Sequence, residues 1–394
     1  MTDTLDRLRL LKYYTLFGFF VIGVATVLLG QVLPILSVRL GLNDAESGTL
    51  FLAQFGGSLM GTLFAVRHAK RHGFVVTTLV GLIFMIAGLP GLNFSSFAFC
   101  WGAIFVYGVG LGLTIPAINL LTIETTPVAQ QSSSINLINF AWGVGAICSQ
   151  PFVALVSRGD SLAAITIILD IVLSILALCF LSASRNLTDQ IADQPSPGLA
   201  PTIWQTPSSW LFVVFGFFVI GIESGLGGWL TTYSASIANG APAINLTVLF
   251  FAFLVFGRAI AAVISRQVSE SALIWICSVT LTIGIFLIVF GEGEAMVGAA
   301  VAGLGTSAIF PTNMVRFTRV FGPNATRNAT PLFISGICGA ASLSWLTGLV
   351  STEYGSLRIG IVVLLTSALM VLILQTAIVV VHRKALSAAI SGSV

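Results

Sequence analysis

The sequence predicts an all-α membrane protein with twelve transmembrane helices arranged as two pseudo-symmetric six-helix bundles. Its composition and an internal repeat are the two observations behind this prediction. Charged residues make up 8% of the 394-residue chain, hydrophobic residues make up 56%, and the mean hydropathy is +1.02. Soluble proteins carry about 25% charged residues, so the composition excludes a soluble fold.

Hydrophobic runs recur along the whole chain, and each is long enough to cross a hydrocarbon core of about 30 Å as a helix. Their number is even, which places both chain ends on one side of a membrane. The twelve predicted spans are 13–37, 46–66, 74–91, 97–122, 133–156, 161–182, 209–234, 244–265, 271–290, 294–317, 328–350 and 357–381.

The internal repeat relates the two halves of the chain. The heptapeptide Phe17–Gly23 reappears unchanged at Phe215–Gly221, 198 positions later. Two further matches keep nearly the same offset: Gly108-x-Gly110 with Gly303-x-Gly305, and Gly145-Ala146 with Gly339-Ala340. Parallel repeats in an apolar chain are typical of carriers that rock one half against the other around a midplane site.

The repeat and one polar stretch define the domain organisation. Residues 184–208 contain several prolines and acids, which disfavour a continuous helix and suit a cytoplasmic linker. We therefore expect an N-terminal bundle over 1–183 and a C-terminal bundle over 209–394.

Basic residues predict the orientation, because cytoplasmic loops of membrane proteins are enriched in Lys and Arg. With the N-terminus inside, fourteen fall on the cytoplasmic side and three outside. The inner set is Arg7, Arg9, Lys12, Arg67, Lys70, Arg71, Arg185, Arg258, Arg266, Arg316, Arg319, Arg327, Arg383 and Lys384, and the outer set is Arg39, Arg158 and Arg358. We expect a multi-pass protein of the cytoplasmic membrane with both termini in the cytoplasm.

Several classes of function lack support in the sequence. The five cysteines occur singly, without metal-ligand spacing, so no metal site or cofactor is expected. No Walker-type lysine or Ser/His/Asp arrangement argues for an ATP-driven pump or an enzyme. The net charge of +3 follows membrane topology and does not indicate nucleic-acid binding. A monomer in the lipid bilayer is expected.

Two acids lie in the middle of predicted spans. Glu223 in span 7 is flanked by glycines, which weaken a helix and let a ligand approach the backbone. Because an ionised carboxylate costs several kcal/mol in the bilayer, we assign Glu223 a substrate or proton-coupling role. Asp170 in span 6 has only apolar neighbours, and a protonated side chain bonded to another helix is the simpler interpretation.

Neutral polar side chains within the spans point to an uncharged, hydroxyl-rich ligand, since amides donate and accept hydrogen bonds together. Asn139 and Trp142 lie one turn apart in span 5, where the indole face could stack on a sugar. For each amide, an ordinary interhelical hydrogen bond is an equally good interpretation. The candidate substrate-binding residues are Gln31, Asn119, Asn139, Trp142, Glu223, Trp229 and Asn313.

The two halves, the linker and the topology of the chain resemble those of a major facilitator superfamily transporter over essentially the full length. Shorter segments carry a narrower resemblance: Gly221-Ile222-Glu223, Trp229-Leu230, Phe256-Gly257-Arg258, Ser265-Arg266, Ile309-Phe310-Pro311, Leu332-Phe333-Ile334 and Gly339-Ala340. In these segments the chain is similar to the fucose–proton symporter family, including its bacterial glucose/mannose members.

The resemblance implies that Glu223 is the family's span 7 glutamate and Asn119 its span 4 asparagine. It also implies carboxylates in spans 1 and 4, where this chain has Gly30 and Ile115. The chain is thus expected to transport a neutral, glucose-like hexose by alternating access, either as a proton symporter or as a facilitator. The alternative is an efflux carrier for amphipathic molecules; a sensor and a membrane enzyme rank below it.

Overall fold

The computed structural model describes residues 2–127, 130–157, 161–184, 207–238, 245–265, 267–321 and 330–391. This part of the chain is almost entirely helical. In chain order its helices are α1 (Thr2–Leu40), α2 (Asp44–His72), α3 (Phe74–Gly88), α4 (Phe97–Glu124), α5 (Gln131–Val156), α6 (Ala163–Ser184), α7 (Pro207–Ile237), α8 (Leu246–Ile264), α9 (Glu270–Phe290), α10 (Ala295–Thr306), α11 (Ile309–Phe321), α12 (Thr330–Tyr354), α13 (Leu357–Gly360) and α14 (Val362–Ser391), with a 3-10 helix at Leu89–Asn93.

Within these residues, twelve helical segments are long and apolar enough to cross a membrane. Three of them are compound: α3 continues into the 3-10 helix, α10 into α11, and α13 into α14. The twelve-helix prediction is confirmed, and most ends agree within a few residues. The α10–α11 break precedes Pro311, which suits the first turn of a helix and cannot donate a backbone hydrogen bond further along it.

The largest differences from the predicted ends are at α1, which begins at Thr2 and not at residue 13, and at α14, which ends at Ser391 and not at residue 381. Helix α2 is also longer than predicted. The sequence analysis ended span 2 at residue 66, whereas α2 continues to His72. Basic side chains fill this last turn, where they interact favourably with the negative end of the helix dipole. Asn43 and Glu46 form a capping box at the other end, which satisfies backbone N–H groups there.

Exposed faces of the helices are apolar, as a hydrocarbon solvent requires. On α6, Ile167, Ile171 and Ile175 form one row, and each is more than half exposed. In water such a row would be unfavourable, but lipid tails are as apolar as these side chains.

Contacts divide the chain into two compact units. The first unit comprises Met1–Pro195 and Gly228–Val248, and the second comprises Ser196–Gly227 and Leu249–Val394. The dividing point in α7 falls between two adjacent glycines. Most of the predicted linker 184–208 lies outside the described residues, so its boundaries stay a prediction. Arg158, Arg185, Arg266 and Arg327 of the charge count also lie outside them.

In the first unit, repeated glycines lie where two helices cross at close range. A Cβ at Gly108 of α4 would overlap the carbonyl oxygen of Gln54 in α2. A Cβ at Gly145 of α5 would overlap the carbonyl oxygen of Phe20 in α1. Small residues at such crossings let the backbones approach, which is how helices associate in membranes.

The second unit uses its copies of these glycines in the same way. A Cβ at Gly303 of α10 would overlap the carbonyl oxygen of Phe250 in α8, and one at Gly339 of α12 would overlap that of Phe217 in α7. The matching positions in the two halves therefore have one physical role, namely close helix crossing, and this explains why the repeat is visible in the sequence.

Candidate functional site

The first unit places two of the predicted amides on helices α4 and α5. The Nδ2 of Asn119 donates to the carbonyl oxygen of Ile115 at 2.9 Å, and the Nδ2 of Asn139 donates to that of Ile135 at 2.8 Å. Each bond runs back four residues within its own helix. Both side chains are half-buried, and their Oδ1 atoms accept no hydrogen bond from a described residue. Each amide therefore keeps an acceptor for a ligand.

Trp142 lies one turn beyond Asn139 on α5, as the sequence predicts. Its indole Nε1 donates to the hydroxyl of Thr26 in α1 over a long 3.4 Å. The Thr26 hydroxyl in turn donates to the carbonyl oxygen of Ile22 at 2.6 Å. Trp142 as a whole is half-buried.

Helix α1 is fixed in this region by three side chains from three other helices. Ser149 of α5 donates to the carbonyl oxygen of Val24 at 3.0 Å. The Tyr107 hydroxyl of α4 donates to that of Ala25 at 2.7 Å, and Gln54 Nε2 of α2 donates to that of Thr26 at 3.0 Å. A carbonyl oxygen has two lone pairs, so each can accept such a bond besides its helical one.

These three donors give α1 a defined position and rotation beside Trp142. Sequence reasoning did not select Gln54 or Ser149. The available signal was their polarity inside predicted spans. Polarity alone does not show in which direction a side chain points, because the predicted spans are apolar on every face and give no amphipathic pattern.

Gln31 and Trp229 contact other side chains of the first unit. Gln31 is 2% exposed, and its Oε1 accepts a hydrogen bond from the Thr231 hydroxyl at 2.6 Å. Thr247 lies 2.8 Å from the same hydroxyl and must be the donor there, because the single Thr231 proton already points to Gln31. Trp229 is 1% exposed, with its ring centroid 5.7 Å from that of Phe51. A ligand role for Gln31 or Trp229 requires these contacts to open.

In the second unit, Glu223 of α7 has a charged partner. Its Oε1 lies 3.7 Å from Nη2 of Arg258 in α8, and the two side chains are 18% and 28% exposed. Acids and bases within membrane helices usually pair in this way. The charge count used Arg258 only as a cytoplasmic-side residue, and the structure adds that it is the partner of Glu223.

Asn313 of α11 is completely buried in the second unit. Its Oδ1 accepts a hydrogen bond of 2.8 Å from Nη2 of Arg316, one turn further along the helix. Arg316 is itself only 4% exposed. Sequence reasoning also counted this arginine as a cytoplasmic charge and missed its place inside the unit.

Asp170 lies on α6 with its Oδ1 buried, and no described residue forms a hydrogen bond with that atom. The predicted interhelical hydrogen bond of Asp170 is therefore not found at Oδ1. No group of three or more His, Cys, Asp or Glu side chains in the described part of the chain could hold a metal ion. The polar groups available to a ligand therefore include Asn119, Asn139 and Trp142 in the first unit. In the second unit they include the Glu223–Arg258 pair and the unpartnered Nδ2 of Asn313 and Nε of Arg316.

Comparisons with known proteins agree with this fold. Residues 15–344 match the family model described as Major Facilitator Superfamily. No curated protein matches the sequence.

Solved structures with the same fold include the E. coli fucose:proton symporter FucP, with 16% identity, 93% of this chain and 98% of that chain covered, and a TM-score of 0.61. A D-xylose-proton symporter has 14% identity, 92% and 96% coverage, and a TM-score of 0.68. The nucleoside transporter NupG has 13% identity, 94% and 98% coverage, and a TM-score of 0.73. At these identities the likeness shows the fold alone.

Proposed function

Because this chain belongs to the Major Facilitator Superfamily, we propose that it is a secondary transporter that moves a neutral, glucose-like hexose across the cytoplasmic membrane by alternating access. Membership points to a transporter rather than an enzyme, and the twelve spans fit a multi-pass membrane protein. The even number of spans and the basic residues support a topology with both termini in the cytoplasm. We propose that the protein acts as a monomer.

The observation that carries the sugar proposal is the pair of half-buried amides with open acceptors, Asn119 and Asn139, in the same unit as the half-buried Trp142. Acceptors of this kind suit hydroxyl groups, and an indole face suits the C–H face of a sugar ring. Sugar symporters among the solved structures with this fold support the same class, and NupG makes a nucleoside the competing substrate to test.

Proton coupling is proposed for the Glu223–Arg258 pair. When Glu223 takes up a proton, its attraction for Arg258 falls, and the guanidinium is released for another partner or for water. Loading and release of the proton would then change which conformation of α7 and α8 is stable. Without this coupling the protein is a facilitator.

The test is uptake of labelled glucose by proteoliposomes that contain the purified protein, with and without an inside-alkaline pH gradient. We expect the gradient to accelerate uptake by the wild-type protein. Glu223→Gln should retain sugar exchange at equal pH but lose the response to the gradient. Glu353→Gln removes an exposed carboxylate from the same unit and should behave like the wild type.

Each outcome decides a separate part of the proposal. Glucose uptake that is equally fast with and without the gradient would leave a facilitator. Uptake of a nucleoside in place of every hexose would refute the sugar assignment. Unchanged gradient dependence in Glu223→Gln would remove Glu223 from the coupling mechanism.

A further inference from the structure

Arg316 is a buried guanidinium held by neutral groups. Its Nη1 donates to Oε1 of Gln375 in α14 at 2.7 Å, and its Nη2 donates to Oδ1 of Asn313 at 2.8 Å. Its Cζ lies 5.1 Å from the ring centroid of Phe212 and 5.7 Å from that of Phe215, both in α7. Ring faces attract a cation, but they do not neutralise it.

No acid among the described residues forms an ion pair with Arg316, and Glu270 attracts its charge only at longer range. The acid of this region is Glu270 in the first turn of α9, and its Oε1 pairs with Nη2 of Arg319 at 2.7 Å. Arg316 and Arg319 carry two positive charges and Glu270 carries one negative charge, so this region has one positive charge in excess. Buried charges in proteins are normally paired, because an isolated one costs several kcal/mol, and arginine cannot lose its proton.

Two buried N–H groups beside this charge also lack acceptors in the described part of the chain. They are Nε of Arg316 and Nδ2 of Asn313, and both residues are more than nine-tenths buried. The Asn313 amide cannot be turned around, since its oxygen must face the Nη2 donor of Arg316. Nε and Nη2 are neighbouring nitrogens of the guanidinium, so the unpartnered Nε lies beside the nitrogen that donates to Asn313.

Unpartnered N–H donors beside an excess of positive charge favour the binding of an anion. We propose that a small, singly charged inorganic anion, of which chloride is the example, binds at Nε of Arg316 and Nδ2 of Asn313. It neutralises Arg316 and accepts hydrogen bonds from both groups. This site lies within the second unit and goes beyond the proposed sugar transport.

The number of donors determines the class of anion. Two N–H groups satisfy a halide, whereas a phosphate or sulfate would bring several oxygens and a second charge into a buried place without further donors. The side chain of Arg319, one turn beyond Arg316, is 73% exposed, so this end of α11 offers the ion a short route from solvent.

The test is thermal unfolding of the purified full-length protein, followed by tryptophan fluorescence, in sodium chloride or bromide and in sodium methanesulfonate at equal ionic strength. Methanesulfonate is a larger monovalent anion than chloride or bromide, and it does not resemble a sugar. A ligand of the folded state raises the unfolding midpoint, and we expect a saturable rise of about 3 °C with chloride.

Three variants locate the effect. Asn313→Asp supplies a carboxylate beside Arg316 in place of the ion, so its midpoint should no longer depend on chloride. Arg316→Gln should lose the dependence as well. Arg358→Gln removes an arginine that donates to the carbonyl oxygen of Gly291 elsewhere in the second unit, and it should respond to chloride like the wild type.

The proposal is overturned if the wild type has the same midpoint in chloride and methanesulfonate. It is equally overturned if Asn313→Asp responds to chloride as the wild type does, because the effect then arises elsewhere. If all variants respond alike, chloride acts as a general salt and the site is refuted. Should Arg316→Gln fail to fold, Asn313→Asp alone decides.

Discussion

Replacement of either member of the Glu223–Arg258 pair should destabilise the second unit, and replacement of both should cost less than the sum. The charged atoms are 3.7 Å apart, which gives about 4.5 kcal/mol of attraction at an effective dielectric constant of 20. Solvent reaches 28% of Arg258 and 18% of Glu223, so screening lowers this value. We expect a coupling free energy of about 2 kcal/mol, between exposed and fully buried pairs.

The two single variants should differ in their response to pH. Arg258→Gln leaves an acid that can take up a proton and become neutral, so its loss of stability should be smaller at acidic pH than at alkaline pH. Glu223→Gln leaves an arginine that stays charged at every accessible pH. Its loss of stability should therefore persist over the whole range.

The measurement is a double-mutant cycle of equilibrium unfolding in mixed micelles titrated with sodium dodecyl sulfate. The wild type, Glu223→Gln, Arg258→Gln and the double variant are compared at two pH values. Additivity within about 0.5 kcal/mol would mean that the two side chains do not interact, and the reasoning from their distance would be refuted.

Gly145→Ala should destabilise the first unit by about 1–3 kcal/mol, because the added Cβ would overlap a carbonyl oxygen of α1. At Gly102 an added Cβ meets nothing within 4 Å, so Gly102→Ala should raise the free energy of unfolding by up to about 1 kcal/mol in the same assay. Equal effects at both positions would contradict the close crossing. Tyr107→Phe removes the buried 2.7 Å bond to Ala25 and should cost about 1 kcal/mol; no loss would mean that the hydroxyl does not hold α1. Asn139→Ala should raise the KM of hexose uptake by about 3- to 10-fold with unfolding unchanged, and an unaltered KM would exclude this amide from the substrate site.

The helices could be predicted from the sequence because bilayer thickness sets a minimum length for an apolar run. The predicted span 271–290 and the observed Glu270–Phe290 differ by one residue. Ends were missed where a helix continues beyond the apolar run, as α2 does through its basic last turn to His72. Hydrophobicity reports the part of a helix in lipid and carries no information on its extension into water.

The candidate site could be predicted only in part. The polar residues were identified, but not their partners, because membrane helices that are apolar on every face give no period from which side-chain directions follow. Gln54 and Ser149 were missed for this reason. Arg258 could have been recognised: it is surrounded by apolar residues, and Glu223 is the one acid in the middle of a predicted span of the second half. The sequence analysis used Arg258 only in the count of cytoplasmic-side charges and did not consider it as the partner of Glu223.

Helix α7 belongs to both contact units, so the two halves of the chain would not fold independently if they were expressed as separate fragments. If the chain were expressed as two fragments cut at the linker, the second fragment would carry Thr231 and Trp229, whereas their partners Gln31 and Phe51 would be carried by the first. Neither fragment would then be a self-contained folding module. Complementation would require both fragments to be inserted in the same membrane at the same time, because the part of α7 from Gly228 onward packs within the first unit.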